Sequence, residues 1–272
     1  MQASLPMYDL PVVRAATDAL WRALARAFRR AGVADVPDRL TRDAEPAALW
    51  SDPRLLLSQS CGFPLIHGFA GRLRPVATAR YAAPGCDGPN YRSAVIVHAD
   101  AAGDQLDDFR GAVCAVNGWD SQSGWNALAA LAAPLAGRRG ATGFFRSAIV
   151  TGGHCASVAA VAGGAADLAA IDAVTLALLG RHRPETLSAV RVLTWTQSAP
   201  GLPFVTRADA DDGLVARLRD GLAAMLEDPA AVPPREALLL SGLDILELPA
   251  YRPIRHMASR AAALGRPPAL AS

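Results

Sequence analysis

The sequence predicts a two-lobed α/β protein, and three observations carry that prediction. Its 272 residues can bury a large core, as one big domain or two smaller ones. From Arg92 to Asp172, apolar strand-like runs alternate with helical runs, the pattern of parallel strands joined by crossover helices. The flanks on either side carry strands and helices of their own and must pack together as the other lobe. Residues 1–93 plus 199–272 are therefore expected as one discontinuous lobe and 94–198 as the second. Each is expected as a mostly parallel sheet flanked by helices, with two hinge crossings near Arg92–Ala99 and Val190–Pro203.

The elements follow in order. Leu5–Tyr8 reads as a first strand and Pro11–Ala31 as an amphipathic helix, with Leu20, Leu24 and Phe28 at helical spacing and Pro11 suited to its first turn. Arg39–Thr41 reads as a short strand and Leu55–Gln59 as a buried one, followed by a turn at Ser60–Pro64. Leu73–Arg80 alternates like a strand, and Ala83–Asn90 is a long turn-rich loop. Strands are then expected at Arg92–Ala99, Val113–Val116, Ser147–Val150 and Leu168–Ile171, each of the last three followed by a helix. Val190–Trp195 and Phe204–Thr206 read as further strands. A helix at Asp211–Leu226 has Asp209 and Asp211 as natural N-caps, and the tail Arg252–Leu264 reads as one more helix.

Composition removes several classes of chemistry. All 27 basic residues are arginine. Without lysine there is no P-loop, no Schiff-base or pyridoxal chemistry and no protein-kinase site. The formal charge of +2 gives no nucleic-acid surface. Cys61, Cys86, Cys114 and Cys155 form no C-x-x-C or zinc spacing, so no metal and no cofactor is expected. Cys61 and Cys86 could pair in an oxidising compartment. No run of eighteen apolar residues suggests a membrane span. Met1–Pro6 has neither a basic nor an apolar signal region, so no export signal is expected and a cytoplasmic location stays open.

The most informative stretch is Ala112–Gly124. An apolar run is followed by the polar turn Asn117-Gly118-Trp119-Asp120-Ser121-Gln122-Ser123-Gly124, then by a helical run from Trp125 to Leu135. Two hydroxyls and an amide thus fall at a helix N-terminus, where unpaired N–H groups and the helix dipole favour an anion. The logic recurs at Ala148–Val150, Thr151–His154 and the helical run Ala156–Ala162. Two such turns facing one another would hold a small oxyanion without covalent chemistry.

Four pieces make the chain resemble the phosphate/phosphonate/phosphite substrate-binding proteins of ABC transporters, which have the type II periplasmic-binding-protein flytrap fold. They are Asn90–Val97, Leu106–Gly111, Asp120–Gly124, and Gly152-Gly153-His154 leading into Ala159–Ala170. The resemblance implies a non-enzymatic, monomeric protein that binds a small oxyanion, serves an ABC permease and lies in the periplasm. It implies ligand contacts at Ser121, Gln122 and Ser123, at His154 and Tyr91, at Tyr8 with a looser alignment, and at Asp172, which would meet an amine on a phosphonate. Gln122 stands where the family commonly has a hydroxyl. Structural readings compete at each position: helix caps for Ser121, Ser123, His154 and Asp172, packing for Tyr8 and Tyr91. Two other functions stay open. One is an enzyme on the same fold, resembling thiamine-pyrimidine synthesis proteins, with His154 and Cys155 or Cys61 as its chemistry. The other is a cytosolic ligand sensor.

Overall fold

The computed structural model of the protein describes residues 1–136 and 143–270. In chain order, β1 (Gln2–Ala3) leads to a short 3-10 turn and α1 (Arg14–Arg30). Helix α2 (Pro46–Trp50), β2 (Leu55–Gln59), α3 (Gly62–Ile66) and β3 (Leu73–Tyr81) follow. Next come the short β4 (Cys86–Asp87) and β5 (Asn90–Tyr91), then β6 (Ser93–His98) and β7 (Val113–Val116). A π-turn at Gln122–Asn126 runs directly into α4 (Ala127–Ala136). Then come β8 (Ser147–Val150), α5 (His154–Ala162), β9 (Leu168–Asp172), α6 (Ala173–His182), β10 (Val190–Trp195) and β11 (Ala199–Pro200). The chain ends with β12 (Pro203–Arg207), α7 (Asp212–Glu227), α8 (Val232–Ala237), β13 (Leu240–Asp244) and α9 (Arg252–Leu264).

The chain forms two compact units. The first comprises Met1–Ala82, Asp87–Pro89 and Gly201–Ala250. Its sheet runs β1-β2-β12-β3-β13. Only β1 and β2 pair in parallel; β12 is antiparallel to β2 and β3, and β13 to β3. Buried Leu55, Leu56 and Leu57 form its centre, and α1 lays Leu24 and Phe28 inward while α7 contributes Leu218 and Leu222. The close approach of α1 and α7 needs Gly221, where a Cβ would fall 2.3 Å from Phe28 Cδ1. Asp211 caps α7 by accepting from the Leu214 N–H at 2.6 Å.

The second unit comprises Ala83–Cys86, Asn90–Pro200 and the segment from Tyr251 onward. Its sheet runs β10-β6-β9-β7-β8. Strands β7, β8 and β9 are parallel to one another, whereas β6 is antiparallel to β9 and β10 to β6. Val95, Val97, Cys114, Val116, Trp125, Leu128, Phe144, Phe145 and Leu168 make its core. Helix α9 packs on α4 through buried Ile254, Met257 and Ala261. Beyond it, Ala148 donates to the Pro268 carbonyl and accepts from the Leu270 N–H, so the tail extends the β8 edge.

Several expectations change. Both sheets are mixed rather than mostly parallel, because β6, β10, β12 and β13 run against their neighbours. Residues 251–270 group with the second unit rather than the first, since the apolar stripe of α9 finds its cover on α4. The chain passes between units around residues 82–90, at Pro200–Gly201 and at Ala250–Tyr251, one more place than the two crossings expected. Leu5–Tyr8 is not a strand; the ladder with β2 involves Gln2, Ala3 and the Ser4 N–H, and Pro6 has no N–H to extend it. Arg39–Thr41 is no strand either, although the Thr41 N–H bonds to the Ala3 carbonyl. Ser60–Pro64 opens α3, and the loop Ala83–Asn90 contains β4 and the first residue of β5.

Candidate functional site

The site is built on the carboxyl ends of β7 and β8, parallel neighbours in register from Val113↔Ser147 to Val116↔Val150. Because the two strands end together, the turns that follow them start side by side, as α/β ligand crevices do. After β7 the chain turns through Asn117–Asp120 and enters the π-turn at Ser121. That residue is the N-cap, with its hydroxyl accepting from the Gly124 N–H at 3.0 Å. The i→i+5 geometry is set by the Asn126 N–H reaching the Ser121 carbonyl at 3.0 Å. Single π-turns of this kind concentrate at functional sites. After β8, Gly152 and Gly153 carry the chain into α5, whose first residue is His154.

The two turns meet. Ser123 Oγ lies 2.8 Å from His154 Nε2 and 3.5 Å from Ser121 Oγ. The result is a short polar row, Ser121–Ser123–His154, along two helix starts. Behind it the Thr151 and Ser157 hydroxyls are 2.7 Å apart, and Ser157 is fully buried. Burial holds the His154 imidazole well below its usual range, at about 4, with a backbone hydrogen bond to Ala170 opposing that shift. At neutral pH the row is therefore uncharged, made of groups that orient hydrogen bonds rather than supply net charge.

Gln122 sits in the same turn but is only 1% exposed. Its Nε2 lies 3.0 Å from Met257 Sδ, and its Oε1 accepts from Asn126 Nδ2 at 2.5 Å. Asn126 Nδ2 also reaches the Ile254 carbonyl at 3.3 Å. The Gln122 side chain thus ties the turn to α9.

The remaining expected residues are placed as follows. Tyr91 is buried on β5, paired with Ala199 of β11. Asp172 ends β9 opposite Ser93 of β6. Its Oδ1 accepts from the Val174 and Thr175 N–H groups at 2.8 and 3.0 Å, so it caps α6. Cys86 is close enough to Asp172 that burial first, and the carboxylate second, push its thiol up to about 12. Tyr8 belongs to the first unit, where it packs edge-on to Tyr81 at 5.0 Å between ring centres. Cys155 does not pair with His154. It lines a cavity of about 390 Å³ with Val158, Ala162 and Leu179, and burial raises its thiol.

One residue of the site escaped the sequence reading. Asn117 follows β7, and its Oδ1 is buried with no hydrogen-bond partner among the described residues. A Cβ on Gly124 would fall 1.7 Å from that Oδ1 and 3.2 Å from Ser121 Oγ. Both oxygens therefore stand over the same face of Gly124, and only glycine leaves room for them. The available signal was an amide placed seven residues before a glycine at the end of the S-x-S-G turn.

A five-stranded mixed sheet with such turns on its parallel strands defines the class: an α/β protein of the type II periplasmic-binding-protein fold. Solved structures with that fold align along nearly the whole chain. A protein of Xanthomonas citri bound to chloride ion is 15% identical, with 97% of this chain and 98% of that one covered and a TM-score of 0.72. PhnD1 of Prochlorococcus marinus, in complex with methylphosphonate, is 14% identical, with 96% and 97% covered and a TM-score of 0.72. A binding-protein component of an ABC phosphonate transporter from Pseudomonas aeruginosa is 16% identical, with 96% and 86% covered and a TM-score of 0.71. No curated protein matches the sequence. The family model for the periplasmic substrate-binding protein of phosphonate ABC transporters matches residues 63–248, and the chain belongs to that family. Among the described residues no helix is long and apolar enough to cross a membrane.

Proposed function

We propose that the protein captures a small tetrahedral oxyanion (phosphate, phosphite or a phosphonate) and presents it unchanged to an ABC permease. The observation that carries this reading is the 2.8 Å contact between Ser123 Oγ and His154 Nε2, which joins two helix starts into one polar row. The Ser121 and Ser123 hydroxyls, the latter held by His154, and the first N–H groups of the π-turn and of α5 supply hydrogen bonds to the guest. Each bond to a charged acceptor contributes about 1.5–3 kcal/mol, and each helix end about 0.3–1 kcal/mol. Several together offset the cost of association and leave micromolar affinity or better, on the order of −8 kcal/mol. The neutral imidazole suits a binder that must release its cargo, because no buried cation holds the anion permanently. Family membership supports both the ligand class and the permease partner.

Calorimetric titration of ligand-free protein with phosphate, phosphite and methylphosphonate tests the reading. At least one is expected to bind, and the Ser121→Ala/Ser123→Ala variant is expected to lose about 100-fold or more in affinity, from two bonds at the low end of that range. No heat with any of the three rejects the oxyanion reading. Wild-type affinity in the double variant moves the site elsewhere.

A further inference from the structure

We propose that the outward face of α9 is an attachment surface for an anionic phospholipid membrane, holding the protein beside the bilayer by charge. The surface consists of Arg252, Arg255, His256 and Arg260, all exposed. It lies on the face of α9 away from Met257, the residue that touches Gln122, so it stands independently of the oxyanion reading.

The sequence concentrates positive charge here. Residues 251–270 contain four arginines and a histidine and no acidic residue, whereas the whole chain has a formal net charge of only +2, so the remainder is net acidic. Helical spacing then sorts the side chains. Ile254, Met257 and Ala261 are buried, and α9 packs on α4. At about 100° per residue, Arg252, Arg255, His256 and Arg260 fall within an arc of about 140° on the opposite side. Their charge is not consumed within the protein. Arg26, Arg42, Arg80 and Arg219 sit in ion pairs with carboxylates. Among the described residues no carboxylate pairs with an arginine of α9, and Arg260 meets the neutral Gln197 side chain. The face also lacks the large apolar anchor on which protein interfaces centre; between its basic side chains lie Pro253, Ser259, Ala262 and Ala263. Charge without an anchor suits a diffuse anionic surface better than a shaped protein pocket. From Arg252 to Arg260 the row spans about 12 Å, and each guanidinium can pair with a headgroup phosphate through two N–H bonds. Because the apolar stripe is already spent on α4, attachment is electrostatic, without insertion, and sensitive to salt. A protein that serves a permease gains from such attachment, since its search for the transporter is then confined to the membrane plane.

Sedimentation of the full chain with lipid vesicles tests the proposal. Vesicles of phosphatidylglycerol mixed with phosphatidylcholine are compared with phosphatidylcholine alone, at about 0.01 M and about 0.15 M salt. The protein is expected to sediment with the anionic vesicles only, and less as salt rises. Each basic residue at an anionic surface strengthens attachment roughly fivefold. Arg252→Gln/Arg255→Gln should therefore bind roughly 25-fold more weakly, with the unfolding midpoint of wild type, and Arg255→Gln alone roughly fivefold more weakly. Arg14→Gln/Arg22→Gln, which removes the same charge from exposed positions of α1, should bind nearly as wild type. No binding to anionic vesicles, equal binding to neutral ones, or equal losses in the two double variants overturns the proposal. Retention of duplex DNA in preference to anionic vesicles also overturns it and makes the face a nucleic-acid surface instead.

Discussion

Replacing Gly124 by alanine is the most searching single change the site allows. The added Cβ would fall 1.7 Å from Asn117 Oδ1 and 2.9 Å from its Cγ, where ordinary contacts need about 3.5 Å. The backbone conformation of Gly124 is not the obstacle, since it is absent from the positive-φ glycines. What must move is the Asn117 side chain, or the π-turn that carries Ser121 and Ser123. Overpacking of this kind costs about 1–3 kcal/mol. At about 2–4 °C per kcal/mol for a chain of this size, the midpoint of thermal unfolding should fall by roughly 2–12 °C. Calorimetric unfolding of wild type, Gly124→Ala, Asn117→Gly and the double variant forms a complete cycle. If the clash is the cause, Asn117→Gly relieves it. The double variant should then be more stable than the sum of the singles allows, with a coupling of about 1 kcal/mol or more. Oxyanion affinity should drop in Gly124→Ala alongside stability, because the displaced turn carries both serines. An unchanged midpoint in Gly124→Ala, or strict additivity in the cycle, would refute the packing on which the description of this turn depends.

Three further outcomes follow from the same geometry. The folded-state pKa of His154, about 4, lies below the unfolded value of about 6.5, so its neutral burial contributes stability that is complete above pH 6.5 and declines as pH falls toward 4. Urea midpoints from pH 7.5 to 4 should therefore fall more steeply in wild type than in His154→Gln, and parallel curves would contradict the burial argument. Asp172→Ala removes the cap of α6 and should cost about 0.5–2 kcal/mol in chemical denaturation; a larger loss of aminophosphonate affinity than of methylphosphonate affinity would show that the carboxylate also meets a ligand amine. Gly221→Ala forces a Cβ to 2.3 Å from Phe28 and should destabilise the first unit by about 1–3 kcal/mol, read as an earlier unfolding transition.

The parts of the fold legible in the sequence were those with strong local patterns. Buried strands such as Leu55–Gln59 and Val113–Val116 hold continuous apolar runs, α7 carries an amphipathic period with an Asp at its start, and α9 an amphipathic period. Strand direction was not legible, because β6 and β12 read the same whichever way their neighbours run; direction is a property of the partner. Strand β13 (Leu240–Asp244) carries no such signal, because its apolar run is broken by Ser241 and Gly242. The tail reads as a helix, but an apolar stripe announces only that it needs cover, and the fold shows that α4 provides it.

The site divides along the same line. Ser121, Ser123 and His154 were visible because hydroxyls and an imidazole at two strand–turn–helix junctions are a local pattern, repeated about thirty residues apart. Their meeting depends on β7 and β8 being adjacent and ending in register, which is a pairing fact rather than a local one. Gln122 looked like a ligand residue by position, yet its side chain is occupied by Met257 and Asn126, so a helix more than a hundred residues later steadies the turn. Asn117 looked like part of an ordinary polar turn, and nothing local distinguishes it. Its meaning comes from a distance to the missing side chain of Gly124 and from an acceptor without a donor. The donors that could bind an anion are thus written in the sequence, whereas the close packing of Asn117 on Gly124 emerges only when the turn is folded. For that reason an exchange at Gln122 is expected to act mainly on the stability of the turn, read as a lower unfolding midpoint, rather than on ligand preference.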